Sequence, residues 1–416
     1  MKQNNIWKNF LISDLAGKVI SAFKDVFLGI YFLKITDGNI VNVSIYYITH
    51  YMTYLICLLV VNKLRRINLV SMFRIGIFLS LMQCIILLIS GEQISNYIIP
   101  FAIFVSIGNA FYYYPQQILV KRVNEEGNFQ NYITKDQILK YVVSIILPVL
   151  LGYCISKNSY DLAFIILILL VSISFIFSLF IKKIDVEHGK ISLNKFFTNI
   201  NKNGNKKLMA WLSFRALFRA LSSFSVLATL ITIITFLVVS TELSLGSISS
   251  FITVLSILVI YLTNKYVKKE KLAKVFIPMS IIQSIVVIIL TFSMIYLDTN
   301  NLIHIGSITI SVGFLLVLLY NIINGISNPI FETSNSVVYY DCMGKQNISI
   351  EDEPSYVFWF EIMTNIPRSF GYLILIFVSQ IGFNLNIIAI LIVAFTLIYI
   401  AFAYTLNKII KNYLIS

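Results

Sequence analysis

Asp25 is the residue most out of place in this chain, an acid deep inside an apolar stretch with Lys24 beside it on a different helical face. A charge taken out of water needs a counter-ion or a job, because leaving it alone is costly. A carboxylate so placed can take up a proton and release it when its surroundings change, so Asp25 is the candidate proton-coupling acid. The competing reading is a static ion pair with a basic residue elsewhere. Asp14 and Lys18 lie four apart, as neighbours on one helical face do, and read as a self-neutralising pair. Arg215 and Arg219 repeat that spacing with like charges, so they require an acidic partner or an anionic ligand. Arg219 is the deeper of the two and is assigned to substrate binding or charge pairing, with Asp25 or Asp14 as its expected partner. Glu361 and Arg368 stand seven apart, two turns on one face, and are assigned to gating. Glu332, just beyond Pro329, is expected to meet basic loops. Arg74 reads as an anchor that reaches an interface.

Uncharged polar groups add a second layer. Asn109, Tyr113 and Asn324 sit within apolar stretches, where amides and phenols either line a site or bond helices together. Gln83 and Gln283 read as packing residues. His50 has no acid or nucleophile near it in sequence, and the four cysteines, Cys57, Cys84, Cys154 and Cys342, are scattered without a ligand spacing. No metal site and no cofactor are expected from that pattern.

The elements that must position these groups are apolar helices. The chain is 58% hydrophobic and 12% charged, too little charge to cover the surface of a soluble protein of this size. Stretches long enough to cross a bilayer recur near residues 11–34, 40–61, 69–90, 96–119, 138–156, 161–181, 211–238, 245–263, 272–296, 303–328, 355–379 and 385–406. The fold class expected is therefore an all-α polytopic membrane protein with twelve transmembrane helices. The first stretch carries Asp14, Lys18, Lys24 and Asp25 and reads as a retained span rather than a cleaved signal. Most of the 32 lysines and arginines fall in loops and tails on one side, with Lys34 and Lys157 left on the other. By the positive-inside rule both termini are cytoplasmic. The formal charge of +13 is then a topological signal, and no nucleic-acid partner is expected without a soluble basic domain.

The chain also repeats itself. Pro148, Gly152 and Tyr153 return in the second half as Pro367, Gly371 and Tyr372, at the same spacing. Lys63, Arg65 and Arg66 are echoed by Lys265, Lys268 and Lys269, and Asn109 before Pro115 by Asn324 before Pro329. A pseudo-twofold repeat of six helices divides the chain into an N-terminal bundle, 1–181, a cytoplasmic linker, 182–207, and a C-terminal bundle, 208–416. Proline weakens a helix locally and glycine lets a neighbour approach closely, so Pro148, Gly152, Pro367 and Gly371 are placed with the gating residues. Parallel membrane repeats move something between them.

Twelve spans, a basic central linker and six-plus-six symmetry make the whole chain resemble the major facilitator superfamily, a bacterial drug or metabolite efflux type in particular. The basic loop residues Lys63, Arg65 and Arg66, with their copy Lys265, Lys268 and Lys269, match the basic part of that family's loop between spans two and three. The acidic member of the loop motif is absent. Pro148 and Gly152 keep part of the antiporter motif of span five. The resemblance implies a secondary active transporter: proton-coupled export of a small organic molecule or peptide by alternating access, across a bacterial plasma membrane, by a monomer. A lipid flippase on the same scaffold is the alternative. A polytopic enzyme is a third reading from another class, disfavoured because no catalytic groups cluster and no phosphate-binding glycine loop is present.

Overall fold

A computed structural model of the chain describes residues 3–64, 67–123, 129–182, 189–222, 226–239, 241–266, 269–296, 302–305, 308–346, 348–349, 351–381 and 385–414. The chain resolves into two compact units. The first comprises Met1–Ile191, Thr241–Ser250 and Ile350–Phe358, and the second Ser192–Ser240, Phe251–Ser349 and Trp359–Ser416.

The first unit contains α1 (Gln3–Ser13), α2 (Leu15–Phe23), α3 (Gly29–Ile35), α4 (Ile40–Lys63), α5 (Leu69–Ser90), α6 (Ile98–Val123), α7 (Phe129–Asn158) and α8 (Tyr160–Leu179). The second contains α9 (Leu193–Lys202), α10 (Lys206–Ser222), α11 (Val226–Val239), α13 (Lys269–Tyr296), α14 (Val312–Lys345) and α16 (Leu385–Ile409). Two helices belong to both: α12 (Glu242–Tyr266) and α15 (Glu353–Ile381) start in the first unit and continue in the second.

Ten stretches among the described residues are long and apolar enough to cross a membrane, one of them the 52-residue run Leu69–Val120. That run holds two of the expected spans, α5 and α6, joined by a 3-10 turn over Gly91–Tyr97. Ile56, Ile89, Phe377 and Ile390 point outward at 62%, 78%, 63% and 67% exposure, which suits a surface wetted by lipid rather than water.

Helix pairings inside the units follow the sequence repeat. In the first, α5 packs on α6 and α8, and α1 packs on α8. In the second, α13 packs on α14 and α16, and α10 packs on α16. Gly76 permits the α5–α6 crossing, because a Cβ there would lie 2.5–2.6 Å from the Tyr112 backbone.

Three local departures from the sequence reading stand out. The first expected span is broken: α1 and α2 are followed by a π-helical turn, Lys24–Leu28, and then α3. The stretch expected to open a span at residue 303 instead pairs as an antiparallel hairpin, β1 (Leu302–Ile305) with β2 (Ile308–Ser311), and helix starts at Val312. Its β-branched run, Ile303, Ile305, Ile308, Thr309 and Ile310, favours the pleated form. Among the described residues one strand pair thus interrupts an otherwise all-α structure. Third, the linker folds in part: α9 turns Phe196 and Ile200 inward at 0% and 2% exposure, and Phe197 meets the Trp359 ring edge-on at 4.7 Å.

Candidate functional site

The π-helical turn sits where the unusual charges fall. A π turn inserts one extra residue into the helical ladder and re-aims the side chains around it. Lys24 and Asp25 open that turn, Lys24 half-buried and Asp25 exposed. Lys24 Nζ lies 3.1 Å from His50 Nε2 on α4, and Asn109 Nδ2 on α6 lies 3.3 Å from the same nitrogen. His50 is 4% exposed, and its Nδ1 sits 2.9 Å from Ser106 Oγ. Ser106 has one hydroxyl proton, directed at the carbonyls of Ala102 (2.6 Å) and His50 (2.9 Å). It therefore accepts from His50 Nδ1–H, which leaves the Nε2 lone pair to accept from Lys24 and Asn109. The network assigns a neutral imidazole whose acceptor nitrogen is covered by an ammonium.

Tyr113, one turn beyond Asn109, brings its hydroxyl 3.4 Å from Ser21 Oγ, one turn before Asp25. The charges of Asp25, Asp14 and Lys18 all act on that hydroxyl. Asp25, Asn109 and Tyr113, singled out separately in the sequence, thus gather on α2, α6 and the π turn, with Lys24 and His50 added. Sequence spacing hid His50, because its partners are 26, 56 and 59 residues away.

Asp14 and Lys18 form the expected pair, but they are not alone. Asp136 on α7 closes on Lys18 Nζ at 2.5 Å, and Tyr112 donates to Asp14 Oδ1 at 2.7 Å. Asp136 stands where α7 passes from polar to apolar sequence, the one sign that could have singled it out.

The repeated Pro–Gly motif marks close helix contacts in each unit. A Cβ on Gly152 would lie 2.5 Å from the Glu242 carbonyl oxygen, and one on Gly246 would strike the Pro148 carbonyl. Ser250 Oγ donates to the Ile145 carbonyl at 2.5 Å, beside the point where Pro148 interrupts the ladder. At the start of the same helix Glu242 pairs with Lys34. In the second unit a Cβ on Gly371 would lie 2.8 Å from Val226 Cγ2. Tyr372 is bonded to Thr229, oxygen to oxygen, at 2.6 Å, and Pro367 lies inside α15.

The second unit pairs its own charges. Arg219 meets Glu332 through Nε at 3.2 Å and Nη2 at 2.6 Å, a two-point contact. Glu332 therefore takes the place expected of Asp25 or Asp14 beside Arg219, and Arg219 the place expected of the basic loops beside Glu332. Arg215, 3% exposed, donates to the Asn335 carbonyl and side chain at 2.9 and 2.6 Å and lies over the Phe360 ring. Gln283 donates to Asn324 Oδ1 at 3.1 Å and accepts from Ser327 Oγ at 2.6 Å, so this amide cluster ties α13 to α14. Glu361 accepts from Asn365 Nδ2 at 2.8 Å, one turn along, and Arg368 is half-buried on the same helix.

Among the basic loop residues, Lys63 ends α4 and is exposed. Arg65, Arg66 and Lys268, and the side chains of Lys265 and Lys269, lie outside the described residues. Arg74 donates to the carbonyls of Ser178 (2.9 Å), Leu179 (3.2 Å) and Ile181, at and just beyond the end of α8. Helix ends leave such carbonyls without partners, and a guanidinium satisfies several at once.

Apolar helices arranged as a repeat, with charged and amide side chains bonded inside each unit, define a multi-pass membrane transporter. The chain belongs to the Major Facilitator Superfamily, which it matches over residues 25–338. It is 20% identical over 352 residues to the uncharacterized protein YqgE of Bacillus subtilis (strain 168), spanning 83% of this chain and 76% of that one. Its fold is similar to a bacterial homologue of the iron transporter ferroportin in its inward-facing state, with TM-score 0.58, 12% identity and coverage of 96% and 98% of the two chains. The outward-facing state of such a homologue, with soaked iron, matches at TM-score 0.57 and 12% identity, covering 98% and 100%. A bacterial metal transporter matches at TM-score 0.52 and 13% identity, covering 95% and 98%.

Proposed function

We propose that the chain is a proton-coupled secondary transporter that exports a small organic molecule or peptide by alternating access across a bacterial plasma membrane. The observation that carries this reading is the grouping around the π turn, with Lys24, Asp25, His50, Asn109 and Tyr113 on the elements of one unit. It offers a carboxylate, an ammonium, an imidazole, an amide and a phenol, enough to hold a polar or zwitterionic cargo by several hydrogen bonds. In this reading Asp25 is exposed, so its negative charge is available for a proton or a cargo group to compete for. Arg219, with its carboxylate partner Glu332, and the Asn324 cluster are the corresponding groups of the second half. Pro148, Gly152, Pro367 and Gly371, with Glu361 and Arg368, carry the motion.

Metabolites compared inside and outside cells producing wild type or Asp25→Asn test this. Export predicts a compound depleted inside and enriched outside with wild type alone. The reverse gradient would overturn the direction, and equal profiles with both proteins in the membrane would overturn export.

One observation favours a second cargo class, a divalent metal cation. His50 Nε2 presents an acceptor lone pair to Lys24, the residue before Asp25, and the fold resembles transporters of metals. Lys24 covers that lone pair, so a metal would have to displace its ammonium. Proteoliposomes loaded with a metal-sensitive dye separate the two readings. Metal flux that rises in Lys24→Gln and vanishes in His50→Ala supports a metal, and flux indifferent to both removes it.

A further inference from the structure

Span one carries a second ionic group, about two turns nearer the N-terminus than the cargo residues. Lys18 is held between two carboxylates: Asp14, one turn earlier on α2, and Asp136 Oδ1, 2.5 Å away on α7. The three side chains are 8%, 4% and 23% exposed. Asp14 also takes the Tyr112 hydroxyl at 2.7 Å, while the Gly17 N–H donates to the Tyr112 oxygen at 3.1 Å. Gly17 is what admits the phenol, because any Cβ there would collide with it. These contacts tie the start of span one to α7 through Asp136 and to α6 through Tyr112.

The charges do not balance. Among the described side chains two carboxylates face one ammonium, leaving one negative charge in a site largely shut off from water. Among the described side chains of the surrounding helices, Tyr112 and Tyr113 are neutral, Arg74 is spent on the α8 carbonyls, and Lys140 and Lys182 are exposed. Carboxylates crowded together do not both stay ionised cheaply. Asp136 is the member with an outlet, being the more exposed and lying just before the span Ile138–Lys157. Burial pushes the Asp136 carboxyl above the ordinary carboxylate range, against the pull of Lys18, and the Asp14 charge pushes the same way.

We propose that the Asp14–Lys18–Asp136 triad binds one proton, carried on the Asp136 carboxylate, as a site separate from Asp25. The proton comes from water at the N-terminal end of span one and returns there. Uptake takes the triad from a net charge of −1 to zero, with no other bond made or broken. Lys18 then stays with Asp14, and the tie from α2 to α7 changes from an ion pair to a hydrogen bond between the Lys18 ammonium and a neutral carboxyl. Since α7 carries Pro148 and Gly152, protonation changes how span one grips the helix assigned to gating. This rests on the proton-coupled reading above, for which it supplies a loading site.

Infrared difference spectra of the purified full chain in lipid nanodiscs, recorded across a pH titration, read the proton directly without cargo or gradient. Wild type should gain a protonated-carboxyl band at a pH above the ordinary carboxylate range. Asp136→Asn should lose it, Asp25→Asn should keep it, and Asp136→Glu should restore it with a moved midpoint. Lys18→Gln, which removes the opposing cation, should shift the midpoint up by about 1–3 pH units. A band that persists in Asp136→Asn, or disappears in Asp25→Asn, overturns the assignment, as does its absence from wild type. If Asp136→Asn does not fold, the glutamate and Lys18→Gln midpoints decide: both unmoved overturns the site. A triad that titrates as stated in a protein that moves no compound would keep the site and sink the transport reading instead.

Discussion

Single side chains in this protein are held by partners far away in sequence, and the partners set their chemistry. His50 is neutral in this network because Ser106 accepts from its Nδ1–H while its Nε2 accepts from Lys24 and Asn109. Replacing Ser106 by Ala should remove the acceptor that fixes this tautomer and destabilise the unit by about 1–3 kcal/mol, the usual cost of leaving a buried donor unpaired. Thermal unfolding in detergent measures it. Arg219 and Glu332 form a two-point ion pair, each about a quarter exposed. The Arg219→Gln/Glu332→Gln double variant should destabilise by about 1 kcal/mol less than the two single variants summed. Asp136 sets a pH dependence with a definite sign. Its folded-state value is raised, so the folded chain holds the proton more tightly than the unfolded chain does. Stability should therefore fall as pH rises through that folded value, with a slope of at most about 1.4 kcal/mol per pH unit. In Asp136→Asn that slope should be lost, which unfolding midpoints across pH would show.

At the scale of elements, glycine placement decides how closely helices cross. Gly76 faces the backbone of Tyr112, so an added methyl has no flexible neighbour to push aside. Gly76→Ala should part α5 from α6 and cost about 1–3 kcal/mol by overpacking. Gly246→Val should separate α12 from α7 at Pro148 and reduce transport more than it reduces stability, if that crossing is where the helices slide. Transport rate against unfolding midpoint tests it, and a parallel loss of both would make the crossing structural. The sequence pointed to Gly152 and Gly371 by their repeat. It was silent on Gly76, Gly17 and Gly246, because nothing in one chain says which backbone comes to lie against a glycine. The same limit explains the first span. An apolar run with Asp14, Lys18, Lys24 and Asp25 reads as one helix, yet the ladder shifts at Lys24, where the side chains of α4 and α6 meet it.

The whole molecule carries its repeat in its pairings: α5 with α6 and α8 in one unit, α13 with α14 and α16 in the other. The repeat is one of architecture more than of sites. The first unit gathers a neutral imidazole, an exposed acid and an acid–lysine–acid triad, whereas the second gathers an arginine–glutamate pair and an amide cluster. Orientation belongs to this scale as well. The lysines and arginines predict that both ends and the 182–207 linker lie on the cytoplasmic side. A fluorescent reporter that folds only in the cytoplasm should light up when fused after Ser416, and a dark fusion on a correctly inserted chain would reverse the topology.

Composition and the length of the apolar runs were enough to establish a helical membrane protein, because backbone groups in lipid must be bonded within a helix or a closed barrel, and barrel strands are short and alternating. The internal repeat and the resemblance it carried were enough to place it among transporters of one superfamily. Residue types marked Asp25, Asn109, Tyr113 and Arg219 as out of place, since a polar group in apolar sequence is visible without a fold. What met them was not visible. Asp136 closing on Lys18, Glu332 on Arg219 and Lys24 on His50 are contacts between segments 26 to 118 residues apart. Hydrogen bonds and ion pairs act over a few ångströms, and the chain decides which groups come that close only when its helices pack.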